Sequence, residues 1–175
     1  RSLISQADTK IAVIGGGLIG ISWAGLFLAY GWDVTLFEPD AEARGEIERK
    51  VEQPIRQLRE IRSDLPPAGR LTLAGTLDDA LRDAQWVQEN APEKVPLKQE
   101  IYARFEAVSP PEATIASSTS SLVWSVLSAG MRAPERLITA HPFNPPHLMP
   151  LVELYGPDRG RVEQAAAFFS AFDRH

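Results

Sequence analysis

Two acid–base side chains twelve positions apart form the first arrangement in this sequence that could move a proton. His141 is one of three histidines and follows the apolar run Leu137-Ile138-Thr139-Ala140. An imidazole titrates near neutral pH, which suits a general base. Glu153 interrupts a second apolar run, Leu151-Val152-Glu153-Leu154. A carboxylate in such a strand either faces water or needs a buried partner. Buried beside His141, it would fix the ring tautomer and stabilise the imidazolium; the alternative is a solvent-facing Glu and a structural histidine. Asn144 precedes Pro145, which pushes it into an extended backbone and so sets the direction of its amide. Ser120 follows a strand and stands at a helix start, as a substrate hydrogen-bond donor or, more commonly at such a position, as a cap. No histidine and acid are spaced around it as a hydrolase would require.

A second constellation binds rather than reacts. Ile11-Ala12-Val13-Ile14 is too short for a helix and right for a buried strand. Gly15, Gly17 and Gly20 then satisfy G-x-G-x-x-G, with Leu18 and Ile19 between the last two. The chain is almost wholly apolar to Tyr30, and Gly31 sits where a helix end tolerates a left-handed residue. Asp33 to Phe37 reads as a second strand ending in Glu38. Gly15 permits the tight turn, Gly17 admits a pyrophosphate close to the backbone, and Gly20 lets the helix lie against the sheet. The N–H groups at the helix start attract phosphate. Glu38 stands where a carboxylate accepts from ribose hydroxyls and repels a 2′-phosphate. With Asp40 beside it and no arginine before Arg44, the pattern favours NAD over NADP.

The elements that position these residues alternate. A charged helical stretch from Asp40 to Ile61, expected to kink at Pro54, leads through a Pro-Gly loop to the strand Leu71-Leu73 and a short helix near Asp78. A strand at Gln85-Gln88 ends in Glu89-Asn90, and Pro92 begins a helix to about Ala107. Thr114-Ala116 is a strand entering the serine run Ser117 to Ser121, followed by a short helix from Leu122 to Ala129. A helix beginning at Arg161 closes the sequence. Strand–helix alternation predicts an α/β, Rossmann-type, doubly wound and mostly parallel sheet. In such sheets ligands sit beyond the carboxyl ends of the strands, where the glycine loop, Glu38, Glu89, the serine run and His141 all fall.

At 175 residues the chain can bury one full core. A net charge of −5 argues against nucleic acid or an anionic membrane as partner. The absence of cysteine removes disulfides, thiolate metal sites and a thiol nucleophile, and fits a reducing cytoplasm. Residues 1–8 read as a polar flexible tail without the apolar segment of a secretory signal.

Gly15-Gly16-Gly17-Leu18-Ile19-Gly20, Ser117-Ser118-Thr119-Ser120-Ser121-Leu122 and His141-Pro142-Phe143-Asn144-Pro145 with Leu151-Val152-Glu153 resemble the NAD-binding domain of the 3-hydroxyacyl-CoA dehydrogenase family. The resemblance runs from about residue 9 to the end. It implies that His141 takes the proton of a 3-hydroxyl while hydride passes to the nicotinamide, with Glu153 orienting the histidine. It implies that Ser120 and Asn144 hydrogen-bond the substrate and nicotinamide, and that Glu89, Lys94 and Ser118 line the cofactor site. Ser118 departs from the asparagine usual in the acyl-CoA enzymes, and Pro142 from a bulky apolar residue. The helix after Glu38 is short and carries one lysine, Lys50, where the CoA enzymes have a longer, lysine-rich pair. The run from Ala140 to Leu154 is more similar to the free-acid branch, the carnitine dehydrogenases and the gulonate dehydrogenase/λ-crystallin group.

The expected activity is therefore NAD-dependent oxidation of a small 3-hydroxy acid. The alternatives are a 3-hydroxyacyl-CoA substrate and a non-catalytic, crystallin-like NAD binder. The resemblance also implies a homodimer whose helical second domain closes the cleft. On that basis residues 9–160 form the NAD-binding domain, and 161–175 a helix leading toward the second domain. That helix is expected to leave Ala165, Phe168, Phe169 and Phe172 unburied and to self-associate weakly, and residues 1–175 to bind NAD with little turnover.

Overall fold

The computed structural model describes Gln6 and residues 9–175, so the expected tail lies, Gln6 apart, outside the described residues. Among these, seven strands form one sheet: β1 (Ile11–Ile14), β2 (Val34–Phe37), β3 (Leu71–Leu73), β4 (Trp86–Glu89), β5 (Thr114–Ser117), β6 (Leu137–Pro142) and β7 (Val152–Tyr155). Their order is β3-β2-β1-β4-β5-β6-β7, and every neighbouring pair is parallel except β6 with β7, which is antiparallel. The order reverses between β1 and β4, which opens a crevice at their carboxyl ends.

The helices are α1 (Leu18–Ala29), α2 (Ala41–Lys50), α3 (Glu52–Ile61), α4 (Leu77–Leu81), α5 (Val95–Val108), α6 (Trp124–Leu127) and α7 (Arg159–Ser170). Alternate strand side chains point to opposite faces. Ile11, Val13, Val34 and Leu36 join α1, α3 and α7 in one core, while Ala12, Ile14, Val87 and Ile115 join α4 and α5 in the other. Helix α1 is apolar on every side because the sheet, α3 and α7 enclose it; every residue from Gly20 to Ala29 is buried.

Several expectations are revised by tertiary packing. The break after Glu38 falls at Val51, not at Pro54, so the short helix is a pair of ten-residue helices. Pro54 lies in the first turn of α3, where an N–H would have no helical acceptor, and it packs on α1. A Cβ on Gly25 would lie 2.4 Å from Pro54 Cγ, so the glycine admits the crossing. Helix α5 starts at Val95 rather than Pro92, and α6 covers only Trp124–Leu127.

The largest revision concerns the C-terminal helix. It starts at Arg159, capped by Asp158, whose side chain accepts from Arg161 N at 3.1 Å. Ala165, Phe168, Phe169 and Phe172 are all buried instead of open. Phe168 stacks on Trp86 with centroids 3.9 Å apart, and Phe172 meets Phe27 and Trp32 at 4.8 and 4.9 Å. The chain then turns at Asp173, and His175 exchanges backbone hydrogen bonds with Pro150 and Val152 at 2.8 Å. The apolar face of α7 is thus covered by the sheet and α1.

Candidate active site

The glycine loop is built by backbone contact. Gly15 has φ +96°, a region L-residues avoid, and a Cβ there would lie 2.7 Å from Asn90 O. A Cβ on Gly20 would sit 1.9 Å from Gly15 O, so only glycine lets α1 start this close to the turn. Gly17 is different: a Cβ would meet nothing within 4 Å. Its lack of a side chain is not demanded by the protein, and it leaves the loop backbone open to a ligand. Gly17 is also the N-cap of α1 and makes no side-chain cap, leaving the helix start to an anion. Leu18 beside it is 90% exposed. The Glu38 carboxylate is fixed at the end of β2 by Gly16 N at 2.9 Å and Asp40 N at 2.8 Å. These features fit a dinucleotide, with the phosphates at the helix start and a ribose at Glu38.

Across the switch point lies a cleft lined by Ile19, Asn90, Glu93, Lys98, Ser118, Ser120, His141 and Asn144, with Ala91, Pro92 and Pro142. His141 lies within β6, one residue before its end, and the antiparallel register sets it directly opposite Glu153. The two strands run in opposite senses, so the start of β7 returns to the ligand edge of the sheet. His141 Nδ1 and Glu153 Oε2 are 3.6 Å apart, with the side chains 35% and 65% exposed. The carboxylate is therefore half in water, not buried as a dyad in the strict sense requires, and the separation is an ion-pair distance beyond hydrogen-bond reach. Asn144 is exposed on the following turn, and its peptide bond to Pro145 is cis.

Ser120 is not a helix cap. Helix α6 begins after Val123, and Thr119 serves the turn instead, its Oγ1 accepting from Leu122 N at 3.1 Å. Ser120 stays exposed on the cleft wall. Ser118 also lines the cleft, but its hydroxyl is engaged by the protein. It donates to Asn90 Oδ1 at 2.7 Å and accepts from Trp23 Nε1 at 3.0 Å and Gln88 Nε2 at 3.2 Å. One donor and two acceptor sites are all a serine has.

Glu89 and Lys94, expected to line the cofactor site, are not among the residues that line the cleft. Glu89 is wholly buried beneath the cleft; it accepts from Lys98 Nζ at 2.6 Å, Ala91 N at 2.8 Å and the Tyr102 hydroxyl at 2.5 Å. Burial, then the neighbouring Glu89 carboxylate, raises the Tyr102 pKa well beyond a phenol's ordinary value. Lys94 is exposed and caps α5 by backbone alone. The residues that reach the cleft are Glu93 and Lys98, 3.3 Å apart, together with Asn90. In sequence these look like part of a solvated charge run. The available signal is Lys98 itself, a charge one turn before Ile101 and Tyr102 on an otherwise apolar helix face.

The family model described as 3-hydroxyacyl-CoA dehydrogenase, NAD binding domain, matches residues 10–173. The chain belongs to this family. An L-carnitine dehydrogenase/betainyl-CoA thioesterase of Rhizobium meliloti (strain 1021) is 43% identical over 151 residues, 85% of this chain and 30% of the relative. The L-carnitine dehydrogenase of Streptomyces coelicolor is 40% identical over 164 residues, 93% of this chain and 51% of that protein. The chain thus spans about half or less of the length of these curated relatives. The crystal structure of a 3-hydroxybutyryl-CoA dehydrogenase from Escherichia coli superposes with a TM-score of 0.81 at 28% identity, covering 95% of this chain and 37% of that one. Among the described residues no helix is long and apolar enough to cross a membrane.

Proposed function

We propose that the protein oxidises a small 3-hydroxy acid, carnitine- or gulonate-like, to the 3-keto acid with NAD. The observation that carries this reading is the β6–β7 register, which aligns His141 with Glu153 on the edge of the sheet that also holds the glycine loop. Bound NAD supplies a nicotinamide that accepts hydride from C3 of the substrate. His141 takes the hydroxyl proton through Nε2, because Nδ1 faces Glu153. As the imidazolium forms, the Glu153 carboxylate becomes its counter-charge and holds the ring in place. Ser120 and Asn144, both free at the cleft wall, hold the substrate oxygen in line. Glu38 selects NAD over NADP, since its carboxylate is already pinned by two N–H groups and cannot swing away from a 2′-phosphate.

Two observations support a free acid over an acyl-CoA. The relatives at 40–43% identity bear the name carnitine dehydrogenase. The α2–α3 pair carries one lysine, Lys50, and that lysine with Arg44, Arg49, Arg56 and Arg59 is balanced by Glu42, Glu46, Glu48, Glu52 and Glu60, so the pair offers a polyphosphate tail no net positive charge. The family resemblance adds a homodimer, and the lack of cysteine a cytoplasmic setting. Steady-state turnover by the full-length protein on a panel of 3-hydroxy acids and 3-hydroxyacyl-CoAs, with NAD and NADP, tests the reading. NAD-linked turnover of the free acids is expected. Faster turnover of the thioesters would transfer the assignment to the CoA enzymes.

A further inference from the structure

The cleft below His141 holds a charge cluster to which the proposed reaction gives no part. Lys98 is 1% exposed, and its ammonium contacts Glu89 Oε2 at 2.6 Å, Ala91 O at 2.9 Å and Glu93 Oε1 at 3.3 Å. The buried Lys98–Glu89 pair is neutral as a unit wherever its proton sits. Glu93 therefore adds one net negative charge to the wall. Its other oxygen accepts from Thr119 Oγ1 at 2.6 Å and Ser121 Oγ at 3.0 Å, so the carboxylate is held on the cleft side. Partial burial pushes the Glu93 pKa up, but the Thr119 hydroxyl, Lys98 and Ser121 outweigh it and hold it below the ordinary carboxylate value. It is charged at neutral pH.

We infer that Glu93 is a specificity-determining residue for the redox state of the cofactor: its uncompensated carboxylate favours oxidised NAD over NADH in this cleft. The inference rests on the nicotinamide occupying the cleft shared by Ser120, His141 and Asn144. The oxidised ring is cationic and the reduced ring neutral, so a fixed negative charge beside it acts on one form and hardly on the other. By linkage, the partition between the two forms on the enzyme shifts by the ratio of their affinities, while the equilibrium in free solution does not.

Calorimetric titrations of the protein with NAD, NADH and ADP-ribose, for wild type, Glu93→Gln and Glu93→Asp, test this. ADP-ribose shares the phosphates and adenosine ribose but has no nicotinamide. Glu93→Gln is expected to raise the Kd for NAD on the order of 10-fold, the loss of one Coulomb partner at an effective dielectric between water and protein interior. NADH and ADP-ribose should change less than about twofold, and Glu93→Asp, which keeps the charge, should retain the wild-type ratio of NAD to NADH. Equal weakening of NAD and NADH, or the same shift from Glu93→Asp, would overturn the inference and make Glu93 a steric contact. If ADP-ribose fails to bind the wild-type protein, the dinucleotide reading itself fails, and this inference with it. If Glu93→Gln weakens ADP-ribose as much as NAD, the substitution has disturbed the loop and a role for the charge is rejected.

Discussion

The two halves of the ligand edge are made differently. Around β1 and β2 the geometry is set by backbone against backbone: Gly15 against Asn90, Gly20 against Gly15, and Glu38 clamped by two N–H groups. Around β6 and β7 the chemical groups stand at the surface. Glu153 is 65% exposed, Asn144 and Ser120 are exposed, and the His141–Glu153 contact is 3.6 Å. On the proposed reading the binding half is finished before a ligand arrives, whereas the reacting half has its groups on the same edge but still apart. A catalytic contact that is loose in the free protein commonly tightens when substrate excludes water.

The largest expected effect lies in the open half. His141→Ala in the full-length enzyme should lower kcat about 10²–10⁴-fold, the usual worth of a general base, with NAD affinity and Tm nearly unchanged. Glu153→Gln should cost less, roughly 10-fold, because its charge acts across 3.6 Å with water on one side. The double variant should lose less than the product, since both changes disable one proton-transfer unit. A Glu153→Gln loss as large as that of His141→Ala would mean that the pair is sealed from water in the working enzyme, and the contrast between the halves would vanish during turnover.

In the preformed half the effect moves from rate to stability. Gly20→Ala puts a Cβ 1.9 Å from a backbone oxygen, and the fold should lose about 1–3 kcal/mol as the helix start is displaced. Gly17→Ala meets nothing and should leave the unfolding free energy within about 1 kcal/mol, the range of an N-cap change. It should nonetheless abolish measurable NAD binding. Paired denaturation curves and NAD titrations separate the two glycines. Wild-type NAD affinity in Gly17→Ala would show that no phosphate lies against that residue.

The same division explains what is legible in the sequence. Gly15 and Gly20 are readable because local backbone geometry requires them, and Gly17 and Glu38 because they stand at fixed spacing from that pair. His141 and Glu153 are readable as a pair only if β7 runs antiparallel, and the motif resemblance carries that information where spacing alone does not. Helix α7 escapes a sequence reading because Phe168, Phe169 and Phe172 look unpartnered until Trp86, Trp32 and Phe27 are brought beneath them from positions far upstream. Pro54 escapes it because its compatibility with a helix depends on a break at Val51 that no residue signals. Glu93, which reaches the cleft, is not told apart in sequence from Glu89, which does not, and only its place on the apolar face of α5 separates Lys98 from Lys94. A charge run does not disclose which members a buried helix face selects.

The smallest expected effect joins the halves through the third histidine. His147 follows the turn that carries Asn144, and it is buried. Its Nε2–H donates to Gln57 Oε1 of α3 at 2.6 Å, Nδ1 accepts from the Ser22 hydroxyl of α1 at 2.7 Å, and Ser22 Oγ in turn accepts from His147 N at 2.9 Å. Among the described residues the charged group that acts on it is Arg174, which donates to Pro146 O. Burial first, and then the Arg174 charge, hold its pKa below the ordinary imidazole value. In the unfolded chain the ring takes a proton at that ordinary value while the folded ring stays neutral. Stability is therefore complete above the ordinary imidazole pKa and falls as pH drops through it toward the folded value. Protonation would also turn Nδ1 into a donor facing the Ser22 hydroxyl, loosening the turn that presents Asn144. Wild-type unfolding free energy from urea titration should fall between about pH 7.5 and 5.5 more steeply than that of His147→Gln, which is less stable at the upper limit but has no ring to protonate. Parallel slopes would show that His147 titrates alike in both states, and that the reacting half is not held to α1 and α3 through a neutral imidazole.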